Sequence, residues 1–459
     1  MKSRCSPLNP SPQLHSLALF LAGKRLLRSE IPFEEALINK AIEQNFVEKV
    51  SGLQTNGQRL MCRRCGNQER SLFGVHYCTR CKQECSYCRH CLQLGKISRC
   101  QYLYIWVGQP IRYPRLKRAL QWQGELSPGQ RQASESVVQA IATQSELLVW
   151  AVCGAGKTEV LFHGLERAFE EGKRVLLATP RTDVVKELVP RFKKSFPEVE
   201  ITALYGGSKD RHTHAQLVLA TTHQAMRFYQ AFDVVVIDEV DAFPFSYDKS
   251  LQYAVDQAKR PTSTMILLSA TPSNTLLTKP QLTVVKIPKR YHGFPLPVPR
   301  FQWIGNWSKH VKKNQLPSKL DHWIRTYLAQ KKPLLLFVPS VSTLSLMSRI
   351  LLENNVMHAA VHAADPNRHE AVQAFRSGKV QLMVTTTILE RGVTFADVQV
   401  AVLGAENTVF TEAALVQIAG RVGRKEEAPT GDIVFFHYGI TKAMRAARTH
   451  IRQMNQEGG

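Results

Sequence analysis

Two stretches of this chain gather residue types that handle phosphate. In the first, residues 147–159 (LLVWAVCGAGKTE), an apolar run breaks into a glycine-containing loop that ends in Lys157 and Thr158. Gly154 and Gly156 let backbone N–H groups approach phosphate oxygens, Lys157 adds a cation, and the Thr158 hydroxyl can help hold Mg²⁺. The second stretch, VVVIDEVD, runs straight into Asp238 and Glu239 about eighty residues after Lys157. There Asp238 can hold Mg²⁺ through water, and Glu239 can orient or deprotonate an attacking water. Together they describe ATP hydrolysis at a phosphate-binding loop.

Further polar groups sit at the ends of other apolar runs. LLSAT offers the hydroxyls of Ser269 and Thr271 to the acidic loop and to a second lobe, and TTTILERGVTF offers Thr387, Arg391 and Gly392. VQIAGRVGR offers Gln417, Arg421 and Arg424. Its arginines, three apart, are expected on one helical face, where their forks could reach phosphate oxygens across a cleft.

Seven of the ten cysteines fall between Cys62 and Cys91, in repeated C-x-x-C pairs. In a chain of this size that pattern points to tetrahedral Zn²⁺ rather than to a disulfide framework, and to a reducing, cytosolic compartment. Cys62 and Cys65 could close with Cys78 and Cys81 or with Cys88 and Cys91, and the remainder, including Cys85 and Cys100, could complete a second site. The interleaved Arg63, Arg64, Arg80, Lys82 and Arg89 suit contact with nucleic-acid phosphates.

The elements that must position these residues read as alternating strands and helices. LLVWAV, RVLLATP, LVLATT, VVVIDEVD and MILLSAT form one set; PLLLFVPS, HAAVHA, QLMVTTT, VQVAVLG and GDIVFFHY form another. This alternation predicts an α/β fold of two tandem lobes with parallel sheets, whose chemistry sits at the carboxyl ends of the strands. A helical pattern over residues 26–45 and a short helix over 14–22 precede the cysteines. A strand-rich, aromatic connector over 101–125 follows them, and LSPGQRQASESVVQAI then opens a helix after Ser127. The expected domains are a helical segment over 1–58 that begins as a Pro-rich, loose start, a zinc module over 59–105, and lobes over 106–290 and 291–459.

With 459 residues the chain is long enough for such lobes, and 60 Lys and Arg against 37 Asp and Glu give a net charge of +23. A field of that sign attracts polyanions. No apolar run is long enough to span a bilayer, so any membrane contact must be peripheral or through partners.

The ordered set AVCGAGKT, ATPRTDVV, LYGGS, TTHQ, DEVD, SAT, TTTILERGVT and QIAGRVGR resembles superfamily-two helicases, as does Ala151 in place of the usual first glycine. WAVCGAGKTE, DEVDAFPF, LFVPSVS and ALVQIAGRVGR resemble, over nearly the whole chain, the competence DNA-uptake ATPase family ComFA, related to the primosomal helicase PriA. The resemblance implies two RecA-like lobes. It implies ATP and Mg²⁺ at Gly154, Gly156, Lys157 and Thr158, hydrolysis supported by Asp238 and Glu239, and γ-phosphate sensing by Arg421 and Arg424, with Gln417 beside them. Gln130 would read adenine. Pro180, Arg181, Gly206, Gly207, Thr222 and Thr387 would track a single-stranded DNA backbone, and Zn²⁺ would sit on Cys62, Cys65, Cys88 and Cys91. Family partners are the membrane channel ComEC and the cytosolic proteins ComFC and DprA, at the inner face of the cell membrane. A homo-oligomer, a PriA-like restart helicase and a nucleotide-switched DNA-binding assembly protein stay open.

Overall fold

The computed structural model describes residues 12–57, 59–208, 214–390 and 395–459. Arg391, Gly392 and the Pro-rich start lie outside the described residues. The chain divides into two compact units. The first takes the chain up to Glu125 with Ser134–Val149 and Val160–Val285; the second takes Leu126–Ala133, Trp150–Glu159 and Lys286–Gly459.

In the first unit, helices Pro12–Leu21 and Glu35–Glu43 pack near a three-stranded sheet of β1 (Arg25–Leu27), β2 (Val47–Ser51) and a later strand that closes it. The hairpin β3 (Leu53–Asn56) and β4 (Arg59–Cys62) leads into β5 (Phe73–Cys78), β6 (Gln83–Cys88) and β7 (Ile97–Ser98), which pair antiparallel. The closing strand is β8 (Tyr102–Trp106), antiparallel to both β1 and β2. The expected helical pattern over 26–45 holds only from Glu35, because Leu26 and Leu27 pair with Tyr104 and Leu103 as strand and Pro32 lies between the two elements. The connector is likewise not strand-rich: among the described residues it is a strand only over Tyr102–Trp106. Beyond it Pro110 and Pro114 lack the N–H that a ladder needs.

The large sheet of this unit is built from β9 (Glu146–Ala151), β10 (Val175–Thr179), β11 (Ile201–Leu204), β12 (Leu217–Thr221), β13 (Phe232–Ile237), β14 (Lys259–Ser269) and β15 (Thr283–Ile287). Its order is β11-β12-β10-β13-β14-β9-β15, parallel from β11 through β14. Every residue of β10 and β12 is buried, as expected of strands covered on both faces. Each fully buried Val or Leu there contributes about 1.5–3 kcal/mol. The same apolar core runs on into the cysteine region through Leu27, Leu53, Cys62, Cys88 and Ile97.

The second unit carries β16 (Arg300–Trp303), β17 (Leu334–Phe337), β18 (Ala359–Val361), β19 (Leu382–Thr385), β20 (Gln399–Leu403) and β21 (Ile433–His437). They run parallel in the order β16-β21-β20-β17-β19-β18. The edge strand β16 escapes sequence reading because RFQW is too short and polar to show alternation. Each unit therefore presents a parallel sheet whose loops leave from one rim.

Candidate nucleotide and metal sites

The phosphate-type loop belongs to the second unit. Gly154 and Gly156 take φ values of +84° and +72°, which a side chain would disfavour, and the helix Lys157–Val160 begins directly after them. A Cβ at Gly156 would stand 2.3 Å from Gln130 Nε2. Gln130 is buried against the loop: its Nε2 donates to the Ala155 carbonyl at 2.8 Å, and its Oε1 accepts from Ser127 N–H at 2.8 Å. Here its amide braces the loop.

The residues around 420 meet the same loop. Cys153 Sγ donates to Gln417 Oε1 at 3.0 Å, and Gly420 lies so close that a Cβ there would come within 2.4 Å of Cys153 Cβ. Arg421 and Arg424 do not share a helical face. The helix Glu412–Ala419 stops at its Gly420 cap, and Gly423 turns left-handed at φ +67°, so both arginines lie in the turn beyond it. There Arg421, 1% exposed, donates through Nε to the Glu390 carbonyl at 3.0 Å, while Arg424 Nε donates to the Gly420 carbonyl at 3.1 Å. The turn is fastened by a residue that no sequence motif contains. Arg290, 1% exposed, donates to the carbonyls of Gly423 and Gly420, and Tyr291 N–H donates to the Gly154 carbonyl at 3.2 Å. Burial pulls the Arg290 guanidinium down to about 10, so it stays charged at neutral pH. An arginine in a proline-rich segment carries no spacing signal that would have found it.

In the first unit Asp238 follows β13 directly, with its N–H on the Ala178 carbonyl at 2.8 Å, and its Oδ1 accepts from Glu239 N–H at 2.9 Å. Glu239 adopts φ +55°, a left-handed conformation uncommon outside glycine. Asp241 completes this loop: its carboxylate accepts from Ser269 Oγ at 2.6 Å and Thr271 Oγ1 at 2.7 Å. The SAT hydroxyls therefore grip the acidic loop.

Pro180 and Arg181 follow β10, Gly206 and Gly207 follow β11, and Thr222 follows β12, so adjacent parallel strands bring them to one rim. Arg181 spends its fork on Asp183, with bonds of 3.2 and 2.8 Å, and Thr222 is wholly buried. Gly206 and Gly207 are exposed, with open space where a Cβ would stand, as close backbone approach by a ligand requires. Thr387 opens a 3-10 turn after β19 in the second unit.

Eight cysteines of the first unit form two groups, Cys62, Cys65, Cys88 and Cys91, and Cys78, Cys81, Cys85 and Cys100, with all sulfurs of a group within 4.8 Å of one another. A tetrahedron with Zn–S bonds of about 2.3 Å has edges of about 3.8 Å. The closest sulfurs match it: 3.7 Å for Cys62 and Cys91, 3.6 Å for Cys65 and Cys88, and 3.7 Å for Cys78 and Cys100. A disulfide would be far shorter. The first group is fully buried, whereas Cys81 and Cys100 of the second are half-buried. In the first group, mutual hydrogen bonding with Cys62, then with Cys65 and Cys91, pulls the Cys88 thiol below its ordinary value, while the same contacts push Cys65 and Cys91 up.

Three family models match successive parts of the chain: the competence protein ComFA N-terminal domain over residues 10–105, the type III restriction enzyme res subunit over 123–274, and the helicase conserved C-terminal domain over 318–426. Competence protein ComFA of Bacillus subtilis is 46% identical over 440 residues, covering 95% of this chain and 94% of that protein. The chain belongs to the ComFA family. ComFA of Streptococcus pneumoniae is 37% identical over 426 residues, 91% of this chain and 95% of the relative. Replication restart protein PriA of Rickettsia prowazekii matches at 27% over 229 residues, 45% of this chain and 35% of that one. Among solved structures, the DEAD-box helicase Mss116 bound to ssRNA and UDP-BeF superposes with a TM-score of 0.53 at 15% identity, over 71% of this chain and 77% of that chain. Mycobacterium smegmatis helicase Lhr bound to ssDNA and AMP-PNP gives 0.52 at 17%, over 73% and 50%. These likenesses carry the fold: two RecA-like lobes behind a small cysteine-rich domain. The chain is a competence-related, ATP-dependent enzyme of helicase type. Among the described residues no helix is long and apolar enough to cross a membrane.

Proposed function

We propose that this chain is an ATP-driven translocase on single-stranded DNA that serves DNA import across the cell membrane during natural transformation, working from its cytoplasmic face. The observation that supports this most is the meeting of the Lys157 loop with the turn of Arg421 and Arg424, braced by the Cys153–Gln417 bond and by Arg290. That pairing suits a motor whose arginine turn responds to the phosphates held by the loop.

In this reading Lys157 binds the β- and γ-phosphates, and Glu239 takes a proton from the attacking water. Arg421 and Arg424 steady the charge that develops on the leaving phosphate. Thr158 and Asp238 are each side chains that would suit Mg²⁺, which would neutralise phosphate charge when bound. Gln130 sets the loop's shape. Asp241, gripped by Ser269 and Thr271, keeps Asp238 and Glu239 in position. Arg181, Gly206, Gly207, Thr222 and Thr387 would offer backbone donors to DNA phosphates, with Pro180, which has no N–H, shaping the Arg181 segment, so binding would be largely independent of sequence and would weaken with salt. Zn²⁺ on Cys62, Cys65, Cys88 and Cys91 has no open coordination position and supplies structure only.

The test is ATP turnover measured with and without single-stranded DNA, in the natural protein and in Lys157→Ala. We expect DNA to raise turnover severalfold and the substitution to abolish it. Turnover unchanged in Lys157→Ala would overturn the site, and turnover indifferent to DNA would overturn the translocase.

A further inference from the structure

The amino rim of the first unit's large sheet, opposite the acidic loop, concentrates buried positive charge. Arg174 stands immediately before β10 and is 1% exposed; its Nε donates to the Ala215 carbonyl at 3.2 Å, and its Nη2 has no hydrogen-bond partner among the described residues. The rings of Tyr113, Phe228 and Phe232, at 5.4, 5.6 and 4.9 Å, ease the charge of the guanidinium but leave Nη2 without an acceptor. Lys24 is buried as well, its Nζ also lacks a hydrogen bond, and burial, then Arg174 and Arg227, pull it down to about 8. Buried Arg25 lies over the Tyr229 ring at 4.6 Å. The neighbouring carboxylates are engaged elsewhere. Asp233 accepts from Arg260 Nη1 at 2.6 Å and from the Arg174 backbone N–H at 2.8 Å, and Glu30 accepts from Arg64 and Arg227 at 2.6 and 3.1 Å. Buried cations are ordinarily paired with an anion, and Lys24 and Arg174 have no carboxylate of their own.

A cavity of about 410 Å³ opens here, lined by Arg174 together with Gly23, Ile105, Trp106, Tyr113 and Tyr229. Its walls are fixed. Tyr229 N–H donates to the Gly23 carbonyl at 3.0 Å, and Tyr113 Oη meets His214 Nε2 at 2.9 Å with the two rings stacked. Gly23, at φ +70°, packs so closely that a Cβ would stand 2.7 Å from Ala231 Cβ. Ile105 and Trp106 belong to β8 and Gly23 precedes β1, whereas Arg174 and the lining residues Ala231 and Arg260 mark the starts of β10, β13 and β14. The cavity therefore lies between the small N-terminal sheet and the amino rim of the large one, while Asp238 and Glu239 follow β13 at the other rim.

We propose that this cavity binds a nucleoside 5′-phosphate, free or at the phosphorylated end of a strand, through residues that neither the Lys157 loop nor the acidic motif contains. The charge selects phosphate: a phosphate monoester carries about −1.5 to −2 near neutral pH and answers Lys24 and Arg174 together, where a carboxylate answers one. The walls select the rest. Ile105, Trp106 and Tyr229 suit a flat apolar ring, and the volume falls within the roughly 300–1,000 Å³ of small-molecule sites. Such a ligand touches the small sheet and the large one at once and stabilises their junction.

The inference stands apart from the translocase reading, and calorimetric titration of the full chain tests it. The probes are thymidine 5′-monophosphate, thymidine and inorganic phosphate; the proteins are the natural one, Lys157→Ala, Arg174→Met and Gln230→Glu. Gln230 is exposed and lines the cavity, so Gln230→Glu adds a repelling charge outside the core, and the fold of Arg174→Met is checked by circular dichroism. The monophosphate should bind one to one, equally to the natural protein and Lys157→Ala, and at least about tenfold more weakly to Arg174→Met and Gln230→Glu. Thymidine and phosphate should each bind at least about tenfold more weakly than the monophosphate. Competition by 5′-phosphorylated oligo-dT as strong as by the monophosphate would support a strand end as the occupant, and weak competition would support the free nucleotide. No binding of the monophosphate, binding lost in Lys157→Ala, or binding unaltered in Gln230→Glu and in folded Arg174→Met would overturn the site. Phosphate as tight as the monophosphate would overturn the nucleotide as its ligand.

Discussion

Arg290→Met offers a test in which two large terms nearly cancel in stability but not in function. The guanidinium donates to the Gly423 carbonyl and, at a long 3.4 Å, to the Gly420 carbonyl. Hydrogen bonds from charged donors stabilise by about 1.5–3 kcal/mol each, so this strong and this weak one together contribute roughly 2–4 kcal/mol. Against this, burial lowers the group from 12.5 to about 10. That shift corresponds to a cost of roughly 3 kcal/mol for keeping the charge inside. Methionine fills similar volume and removes both terms, so urea unfolding should show a change of no more than about 2 kcal/mol. Methionine cannot hold the turn from Gly420 to Gly423. Arg421 and Arg424 then lose their placement, and a misplacement of about 1 Å in a phosphate-handling group can lower turnover by about 100-fold. Turnover within about threefold of the natural protein would refute the positioning role. A stability loss above about 4 kcal/mol would instead make Arg290 a structural residue.

Metal analysis of the reduced chain should find two zinc ions, with Cys65→Ser removing one and Cys81→Ser/Cys100→Ser removing the other; one ion in the natural protein would show that one sulfur group holds no metal. Because its ligands are half-exposed, the second ion should leave first on titration with a chelator, seen as two phases of release. His214 predicts a pH dependence. Burial first, then the charges of Arg174 and Lys24, pull it from 6.5 to about 3. The unfolded chain therefore takes up the proton first, and the stability that neutral His214 provides is complete above about pH 6.5 and lost progressively toward pH 3. His214→Gln should flatten the fall in urea midpoint between pH 7 and pH 5, and an identical slope in the variant would count against this assignment. Asp241→Asn weakens the grip of Ser269 and Thr271 and should lower turnover at least tenfold while nucleotide binding, read by fluorescence of a labelled ATP analogue, stays within about twofold.

Much of this architecture is legible in the sequence because parallel strands buried on both faces leave unbroken apolar runs. VLLAT, LVLAT and FDVVVI could be little else, and the polar residues that end them mark the rim. The cysteine module is legible as a candidate metal site, since C-x-x-C repeats have few other uses, but the partition of eight sulfurs into two groups is not: Cys62 sits at comparable distances along the chain from several knuckles. It is set by the β5–β6 hairpin, which carries Cys78 and Cys85 to the tip and returns Cys88 to the base. The arginine turn misleads for a local reason. IAGRVGR continues a helical pattern by spacing, yet Gly420 and Gly423 end the helix and turn it. Arg290 and the Asp241 clamp are set by contacts across more than twenty residues of chain, and no local pattern reports such a contact.

Displacement of streptavidin from the end of a biotinylated oligonucleotide measures directly whether ATP hydrolysis moves this protein along single-stranded DNA. If hydrolysis drives translocation, displacement should require ATP, accelerate as the strand lengthens, occur from one end only, and vanish in Lys157→Ala and in Glu239→Gln. Displacement that needs no hydrolysis, or none from either end while DNA still stimulates ATP turnover, would contradict it and leave a DNA-responsive ATPase that does not travel.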